Sequence, residues 1–157
     1  MKYAFHTSLS KDDQISLGVL EPQPVARADR VHHDECDALN HVNNTSYMIW
    51  FERLRIQFVE FYGIGTLADP NSPRIVIRSG HVHWIAETFR DENYVITTGC
   101  TSFRRTSMTL EQAIWVDGQK RTSFTCVMVL LEPDGSGKMQ IPDHVKSRLR
   151  EDGAHQE

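Results

Sequence analysis

The chain has 157 residues, which fits one domain that buries its own core without disulfides. Its 39% apolar and 24% charged residues exclude a disordered chain, and a net charge of −4 argues against nucleic acid as a general partner. Three separated cysteines, no signal peptide pattern in residues 1–14 and no apolar run longer than Val127–Leu131 predict a soluble protein of the reducing cytoplasm.

The first part of the chain is predicted to hold little regular structure before one long helix. Residues 1–22 are mixed and polar, and we interpret them as an irregular lead-in to a strand at Val25–His33. The helix is predicted from about Asn44 to Tyr62. Asn43 or Asn44 suits its N-cap, and Gly63 suits the C′ position.

Apolar side chains recur in this helix at intervals of three and four residues, which indicates one buried stripe. Its members are Tyr47, Trp50, Phe51, Leu54, Phe58, Phe61 and Tyr62. Ile49 and Ile56 fall on roughly the opposite side. We therefore expect the helix to be enclosed on more than one side.

After a loop at residues 64–73 the apolar period changes to two, which is typical of strands. The predicted strands are Arg74–Ala86, Tyr94–Phe103, Met108–Val116 and Arg121–Leu131. The turns between them are predicted at residues 90–93, 104–106 and, from its Asp-Gly pair, 117–118. A flexible loop at 132–138, a short helix at 142–150 and a frayed tail after Glu151 complete the chain.

This order of elements predicts an α+β fold, because one long apolar helix needs a sheet to cover it. We expect a curved antiparallel sheet of about five to six strands wrapped around the central helix. The sequence predicts one domain over residues 1–157, with its core at about 25–150.

The segment from Asp34 to Asn44 is the most informative part of the chain. It places three carboxylates, a histidine and three asparagines directly before the helix. Leading N–H groups of a helix are unpaired, and the helix dipole adds partial positive charge there. The segment therefore predicts a catalytic site in which a negative charge forms and is stabilised.

The pattern Asp37-x-x-x-His41-Val42-Asn43-Asn44-x-x-Tyr47 resembles the hotdog-fold acyl-CoA thioesterases of the 4-hydroxybenzoyl-CoA thioesterase type. The resemblance covers roughly residues 25–150. It implies hydrolysis of an acyl-CoA without cofactor or metal, in a homodimer or homotetramer whose active site lies at the subunit interface. Acyl-ACP thioesterases also carry a His-Val-Asn-Asn run, but they usually have a functional Asn where this chain has Leu39.

The resemblance assigns the functional carboxylate to Asp37 and the backbone N–H that polarises the thioester carbonyl to Asn44. Asp37 can act as a general base or as a nucleophile, and the alternative is a structural role in capping a turn. Another hotdog branch uses an acid within the helix, which makes Glu52 the alternative base. His41 either orients water or holds the Asp37 loop.

The remaining site candidates are predicted to bind substrate. Asn43 suits the tight turn, and Tyr47 either touches the acyl group or packs in the core. Arg104 and Arg105 are the first choice for the phosphates of coenzyme A. The basic residues at 120–121 and 146–150 are the second.

Other chemistries fit the sequence less well. Cys36 has no identifiable partner histidine for nucleophilic catalysis. The histidines near residues 32–41 and at 81 and 83 show no metal-ligand spacing, so we expect no metal. Rival functions are a non-catalytic acyl-CoA-binding hotdog protein and a dehydratase that pairs His41 with Glu52. Acyl chain length and aromatic preference stay open.

Overall fold

A computed structural model describes residues 3–157. Its helices are α1 (Lys11–Ser16), α2 (Asn44–Phe61) and α3 (Asp143–Glu151). Its strands are β1 (Val25–Arg30), β2 (Arg74–Trp84), β3 (Asn93–Phe103), β4 (Ser107–Val116), β5 (Gln119–Leu131) and β6 (His155–Gln156). A short 3-10 turn spans His33–Glu35.

The strands form one six-stranded sheet in the order β1-β3-β4-β5-β2, with β6 paired to β3. All neighbouring pairs are antiparallel except β6 with β3. Helix α2 packs on this sheet, and their shared apolar side chains form the main core. The α+β hotdog fold predicted from the sequence is thereby confirmed.

The ends of α2 follow the sequence prediction closely. The Asn43 side chain accepts a hydrogen bond from the Thr45 N–H, which makes it the N-cap. Gly63 has a φ of +68°, the left-handed conformation expected just past a helix end. In the stripe, Phe61 is 45% exposed, and on the other side Ile49 is 47% exposed. This chain alone therefore leaves part of α2 uncovered.

The lead-in and the tail are more regular than predicted. The lead-in contains α1, which begins with a capping box in which Ser10 and Asp13 exchange hydrogen bonds. The tail after Glu151 forms β6, because its backbone pairs with the end of β3 and the Glu157 carboxylate binds the Ser102 hydroxyl. The prediction of irregular structure at both ends was wrong.

The first strand is shorter than predicted and ends at Arg30. The chain then turns, because the Glu35 carboxylate accepts a hydrogen bond from the His32 N–H and closes the 3-10 turn. Among the described residues, 3–157, no helix is both long and apolar enough to cross a bilayer.

Strand β2 is an edge of the sheet, and most of its side chains are exposed. Val76, Ile77 and Trp84 are 41%, 38% and 50% exposed. A bulge between Ile77 and Ser79 interrupts its pairing with β5. A long, exposed, apolar edge of this kind is a template for pairing with another chain.

Candidate active site

The segment that follows β1 folds into a closed loop ahead of α2. Cys36 and Val42 form an antiparallel bridge at its base. Above this bridge, the Asp37 N–H donates to the His41 carbonyl at 2.9 Å, and the Asn40 N–H donates to the Asp37 carbonyl at 3.0 Å. The loop therefore sets Asp37 and His41 side by side.

The Asp37 carboxylate is oriented from two directions. Its Oδ1 accepts a hydrogen bond from the Leu39 N–H at 2.8 Å, and its Oδ2 lies 3.5 Å from His41 Nδ1. The side chains of Asp37 and His41 are 29% and 23% exposed, so both remain reachable from solvent. His41 Nε2 lies 3.7 Å from Glu87 Oε1, which places the imidazole between two carboxylates.

The start of α2 supplies a free N–H close to this loop in the chain. The Asn43 side chain caps the N–H of Thr45 and leaves that of Asn44 uncapped. Within residues 3–157 the Asn44 N–H has no acceptor, and Asn44 is exposed. A free N–H at a helix start is a donor suited to a carbonyl oxygen that gains negative charge.

Glu35 fastens the loop to the helix, a role that the sequence reasoning missed. Its carboxylate accepts hydrogen bonds from the Trp50 indole at 2.7 Å and the His32 N–H at 2.8 Å. Its backbone carbonyl accepts from the Asn43 N–H at 2.9 Å and the Ser46 hydroxyl at 3.0 Å. The bonds from Trp50, Ser46 and Asn43 fix the position of the loop relative to the first turns of α2, and the bond from His32 closes the 3-10 turn.

The segment after β2 forms the other side of the loop. The Val42 N–H donates to the Thr88 carbonyl at 2.8 Å, and His41 bridges to Phe89. Arg121 holds this segment through a 2.7 Å hydrogen bond from Nη1 to the Glu87 carbonyl. The Arg121 guanidinium, a second-choice phosphate ligand, thus braces the protein itself.

Tyr47 lies in the core and is only 2% exposed. Its ring packs edge-on against Trp50 with centroids 5.3 Å apart. Burial raises the pKa of the Tyr47 hydroxyl, so it stays protonated at neutral pH. Of the two roles predicted for Tyr47, the structure favours packing.

Arg104 and Arg105 are not brought to the loop within one chain. β3 begins beside the end of β1, next to the loop, and runs 11 residues to Phe103. At about 3.3 Å per residue, the two arginines lie roughly 33 Å away at the opposite end of the sheet. Arg104 is also engaged in a 2.6 Å ion pair with Glu157.

The alternative base, Glu52, faces solvent on α2 and has no ion pair among residues 3–157. It lines a groove of about 220 Å³ between α2, the loop at 65–73 and β2. The groove is the open space next to the exposed edge strand. Glu52 therefore stands apart from the closed Asp37 loop.

Neither a reactive cysteine nor a metal cluster is found at the site. Burial raises the pKa of the Cys36 thiol, with Glu35 and Asp37 adding to the shift and Arg90 opposing it, so the reactive thiolate is scarce at neutral pH. Across residues 3–157, no three His, Cys, Asp or Glu side chains converge as metal ligands would.

Comparisons with known proteins identify the family of the chain. A profile described as the thioesterase-like superfamily matches residues 31–149. No curated protein matches the chain. A thioesterase superfamily protein from Jannaschia sp. CCS1 is 37% identical, with 96% of each chain covered and a TM-score of 0.89.

Two more distant solved structures share the fold. A thioesterase from Thermus thermophilus, solved with coenzyme A and Zn, is 20% identical over 82% of this chain and 98% of its own, with a TM-score of 0.70. The gentisyl-coenzyme A thioesterase BH1999 is 20% identical over 79% of this chain and 98% of its own, with a TM-score of 0.70. Since the superfamily profile spans most of the chain, this protein belongs to the thioesterase-like superfamily and has its hotdog fold.

Proposed function

We propose that this protein hydrolyses an acyl-CoA thioester to a carboxylic acid and coenzyme A, with Asp37 as general base or nucleophile. The observation that supports this most is the pairing of an oriented, partly exposed carboxylate with a free helix-leading N–H at the two ends of one loop. The distant relative solved with coenzyme A supports the choice of carrier.

The Asn44 N–H binds the thioester carbonyl oxygen in this mechanism. Attack forms a C–O bond at the carbonyl carbon and moves the carbonyl electron pair onto that oxygen. The helix N-terminus stabilises this charge, and loss of one such donor in other enzymes costs about 10²–10³ in rate. Collapse of the intermediate breaks the C–S bond and releases the thiolate of coenzyme A.

Asp37 takes one of two roles in the attack. As a general base it accepts a proton from water and later returns it to the leaving thiolate. As a nucleophile it forms an anhydride with the acyl group, and water then hydrolyses the anhydride. In either role the Leu39 N–H holds Oδ1 of Asp37 by a hydrogen bond, and His41 Nδ1 lies 3.5 Å from Oδ2.

A second copy of the chain completes the enzyme in this proposal. The exposed β2 edge suits antiparallel pairing with a partner β2, which gives a homodimer that can pair further into a tetramer. β2 ends at Trp84, and the residues after it pair with the Asp37 loop, so a partner on β2 lies beside the site.

Antiparallel pairing also brings the far end of the partner sheet to the loop end of this chain. Arg105 of the second copy, exposed and without a side-chain partner in residues 3–157, is then suited to bind the phosphates of coenzyme A. Arg105→Ala should raise KM and keep kcat. The three free cysteines support a cytoplasmic setting for this chemistry.

The decisive experiment compares Asp37→Asn with Glu52→Gln in an assay of thiol release from a panel of acyl-CoAs. The amide oxygen that Asp37→Asn introduces can still accept from the Leu39 N–H, so the loop keeps its shape. We expect kcat to fall by about 10²–10⁴ for Asp37→Asn and to change little for Glu52→Gln.

Asp34→Asn is the matched control, because Asp34 is an exposed carboxylate in the same segment without a hydrogen bond or ion pair in residues 3–157. It should retain full turnover. The opposite pattern, with activity lost at Glu52 and kept at Asp37, would move the base onto α2. A complete lack of turnover by the wild type would reject the thioesterase.

A further inference from the structure

Helix α2 places a positive charge in the wall of the groove beside β2. Arg55 is half-buried and lines this groove together with apolar residues of α2, of the 65–73 loop and of β2. These are Ile56, Val59, Leu67, Pro73, Ile75 and Ile77. The mostly apolar lining suits an acyl chain. Of the three charged side chains in the lining, Glu52 and Glu60 are exposed and Arg55 is half-buried, so the guanidinium needs an explanation.

The protein holds the Arg55 guanidinium from one side. Its Nη1 donates to Gln112 Oε1 at 2.9 Å. The Gln112 amide nitrogen donates to the Phe51 carbonyl at 3.0 Å and to Thr98 Oγ1 at 2.7 Å, so its oxygen is committed to Arg55. The guanidinium carbon also lies 5.6 Å from the centroid of the Phe124 ring.

No carboxylate completes this arrangement. Within residues 3–157 Arg55 has no ion pair, and Gln112 is its one hydrogen-bond partner. Burial lowers the pKa of Arg55, which reflects the cost of removing the charge from water. The charge of Glu52 opposes this lowering of the Arg55 pKa without cancelling it. Glu52 and Glu60 are both exposed on the groove wall, and neither forms an ion pair with Arg55.

A guanidinium has five N–H donors in a planar fork that matches a carboxylate. Building on the proposed thioesterase activity, we infer that Arg55 selects acyl-CoAs whose acyl chain ends in a second carboxylate. The apolar groove would take the methylene chain, and the free side of the Arg55 fork would bind the terminal carboxylate. Hydrolysis would release a dicarboxylic acid.

The position of Arg55 along the helix fits such a chain. Arg55 follows Asn44 by 11 residues, which corresponds to about 16 Å along the helix axis at 1.5 Å per residue. Helical side chains point back toward the N-terminus, which shortens the gap to the carbonyl site. The span calls for a medium-length dicarboxylic acyl chain and excludes an acyl group of only two or three carbons.

The test compares suberoyl-CoA with octanoyl-CoA, which have equal chain length and differ by the terminal carboxylate. We expect wild-type kcat/KM to be at least about tenfold higher for suberoyl-CoA. Arg55→Met should lower the ratio of kcat/KM for suberoyl-CoA to that for octanoyl-CoA by roughly 10- to 100-fold, because only suberoyl-CoA loses a carboxylate partner. Arg55→Lys keeps a charge and a donor for Gln112, so it should retain part of the preference if Arg55→Met fails to fold.

Equal wild-type values for the two substrates, or equal losses in the Arg55 variants, would overturn the inference and leave the thioesterase intact. Absence of hydrolysis for every acyl-CoA would instead reject the proposed function. In that case calorimetric binding of the same two acyl-CoAs to the wild type, to Arg55→Met and to Arg55→Lys decides the inference. It stands if suberoyl-CoA binds more tightly through Arg55, and it fails otherwise.

Discussion

The two flanks of α2 differ in how they join the helix to the rest of the chain. On the flank toward β1 and β3, the Trp50 ring stacks on Tyr94 with centroids 4.2 Å apart, and its indole N–H binds Glu35 at the edge of a polar cleft of about 400 Å³. On the flank toward β2, Arg55 and Glu52 border a mostly apolar groove of about 220 Å³. The first flank fastens the Asp37 loop to the helix, whereas the second is the one that we propose for the substrate and a second copy of the chain.

The difference follows from where α2 lies on the sheet. Its contacts are mainly with β1 and β3, while β2 forms the opposite edge. Ile77 on β2 and Ile49 on α2 remain exposed in the single chain. Apolar groups exposed together on one side of a molecule indicate a surface that is covered in use.

The largest expected effect comes from disrupting the exposed edge strand β2. Val76→Lys combined with Trp84→Lys puts charges on the exposed edge, which should prevent strand pairing between copies. We expect a monomer by light scattering and a fall in kcat/KM of more than about 100-fold, because the site would lose its second subunit. Thr125→Lys, an exposed position on the interior strand β5, is the matched control and should leave both unchanged. A fully active monomer would contradict the dimeric site.

The next effect comes from loosening the attachment of the Asp37 loop to α2 at Glu35. Glu35→Ala leaves the Trp50 indole and the His32 N–H without their acceptor, which should cost about 1–3 kcal/mol of unfolding free energy. Because the Asp37 loop is then less well positioned, kcat should fall about tenfold with an unchanged pH profile. Glu35→Gln keeps one acceptor oxygen and should lie between wild type and alanine. Urea melts measure the unfolding free energy, and steady-state kinetics measure kcat. Full activity in Glu35→Ala would rule out the positioning role of Glu35.

A smaller effect is expected from pH acting on Tyr94. Burial raises the pKa of Tyr94, and the charges of Asp29 and Glu35 add to the shift. The folded state therefore keeps this proton after the unfolded chain begins to lose it near pH 10. The ionisation of Tyr94 therefore does not change the unfolding free energy below that pH. Above it the unfolding free energy falls, by at most about 1.4 kcal/mol per pH unit for this one proton. Urea melts at pH 9 to 11 should show that the unfolding free energy falls less steeply with pH in Tyr94→Phe than in the wild type. Equal slopes in the two proteins would contradict a raised pKa of Tyr94.

The smallest effect is predicted at Cys36, which neighbours Asp37 but takes no part in the proposed mechanism. Its pKa is raised by burial, so little thiolate exists at neutral pH. Cys36→Ser should keep kcat within about twofold, since the serine hydroxyl replaces a side chain that makes only a weak 3.7 Å contact with the His32 carbonyl. Loss of most activity, or rapid inactivation of the wild type by iodoacetamide at pH 7, would make Cys36 a nucleophile.

The fold was readable from the sequence where local patterns determine structure. The bounds of α2 were predicted almost to the residue from the apolar interval of three and four residues, the Asn43 cap and Gly63. The positions of the strands were predicted from the apolar period of two. The helix α1 had a readable signal as well, because Ser10 precedes Asp13 by three residues in a capping box. The strand β6 had no such signal, since it exists only through its pairing with β3.

Only part of the candidate site could be predicted from the sequence, because only local patterns are visible there. Asp37, His41 and Asn44 lie within one short segment, so their proximity is local. The bonds from Trp50 to Glu35 and from Arg55 to Gln112 join residues 15 and 57 positions apart, and no local pattern encodes them. Arg55 did leave a trace, because a cation four residues after Phe51 and three before Phe58 interrupts the buried face of the helix.

The bonded loop between Cys36 and Val42 has a thermodynamic consequence. Its backbone is already arranged in the free protein, so little conformational entropy remains to be lost when a ligand arrives. In the proposed enzyme, discrimination between acyl groups then depends on their residence time in the groove more than on their rate of arrival. Engineering new specificity should leave the loop untouched and alter the groove.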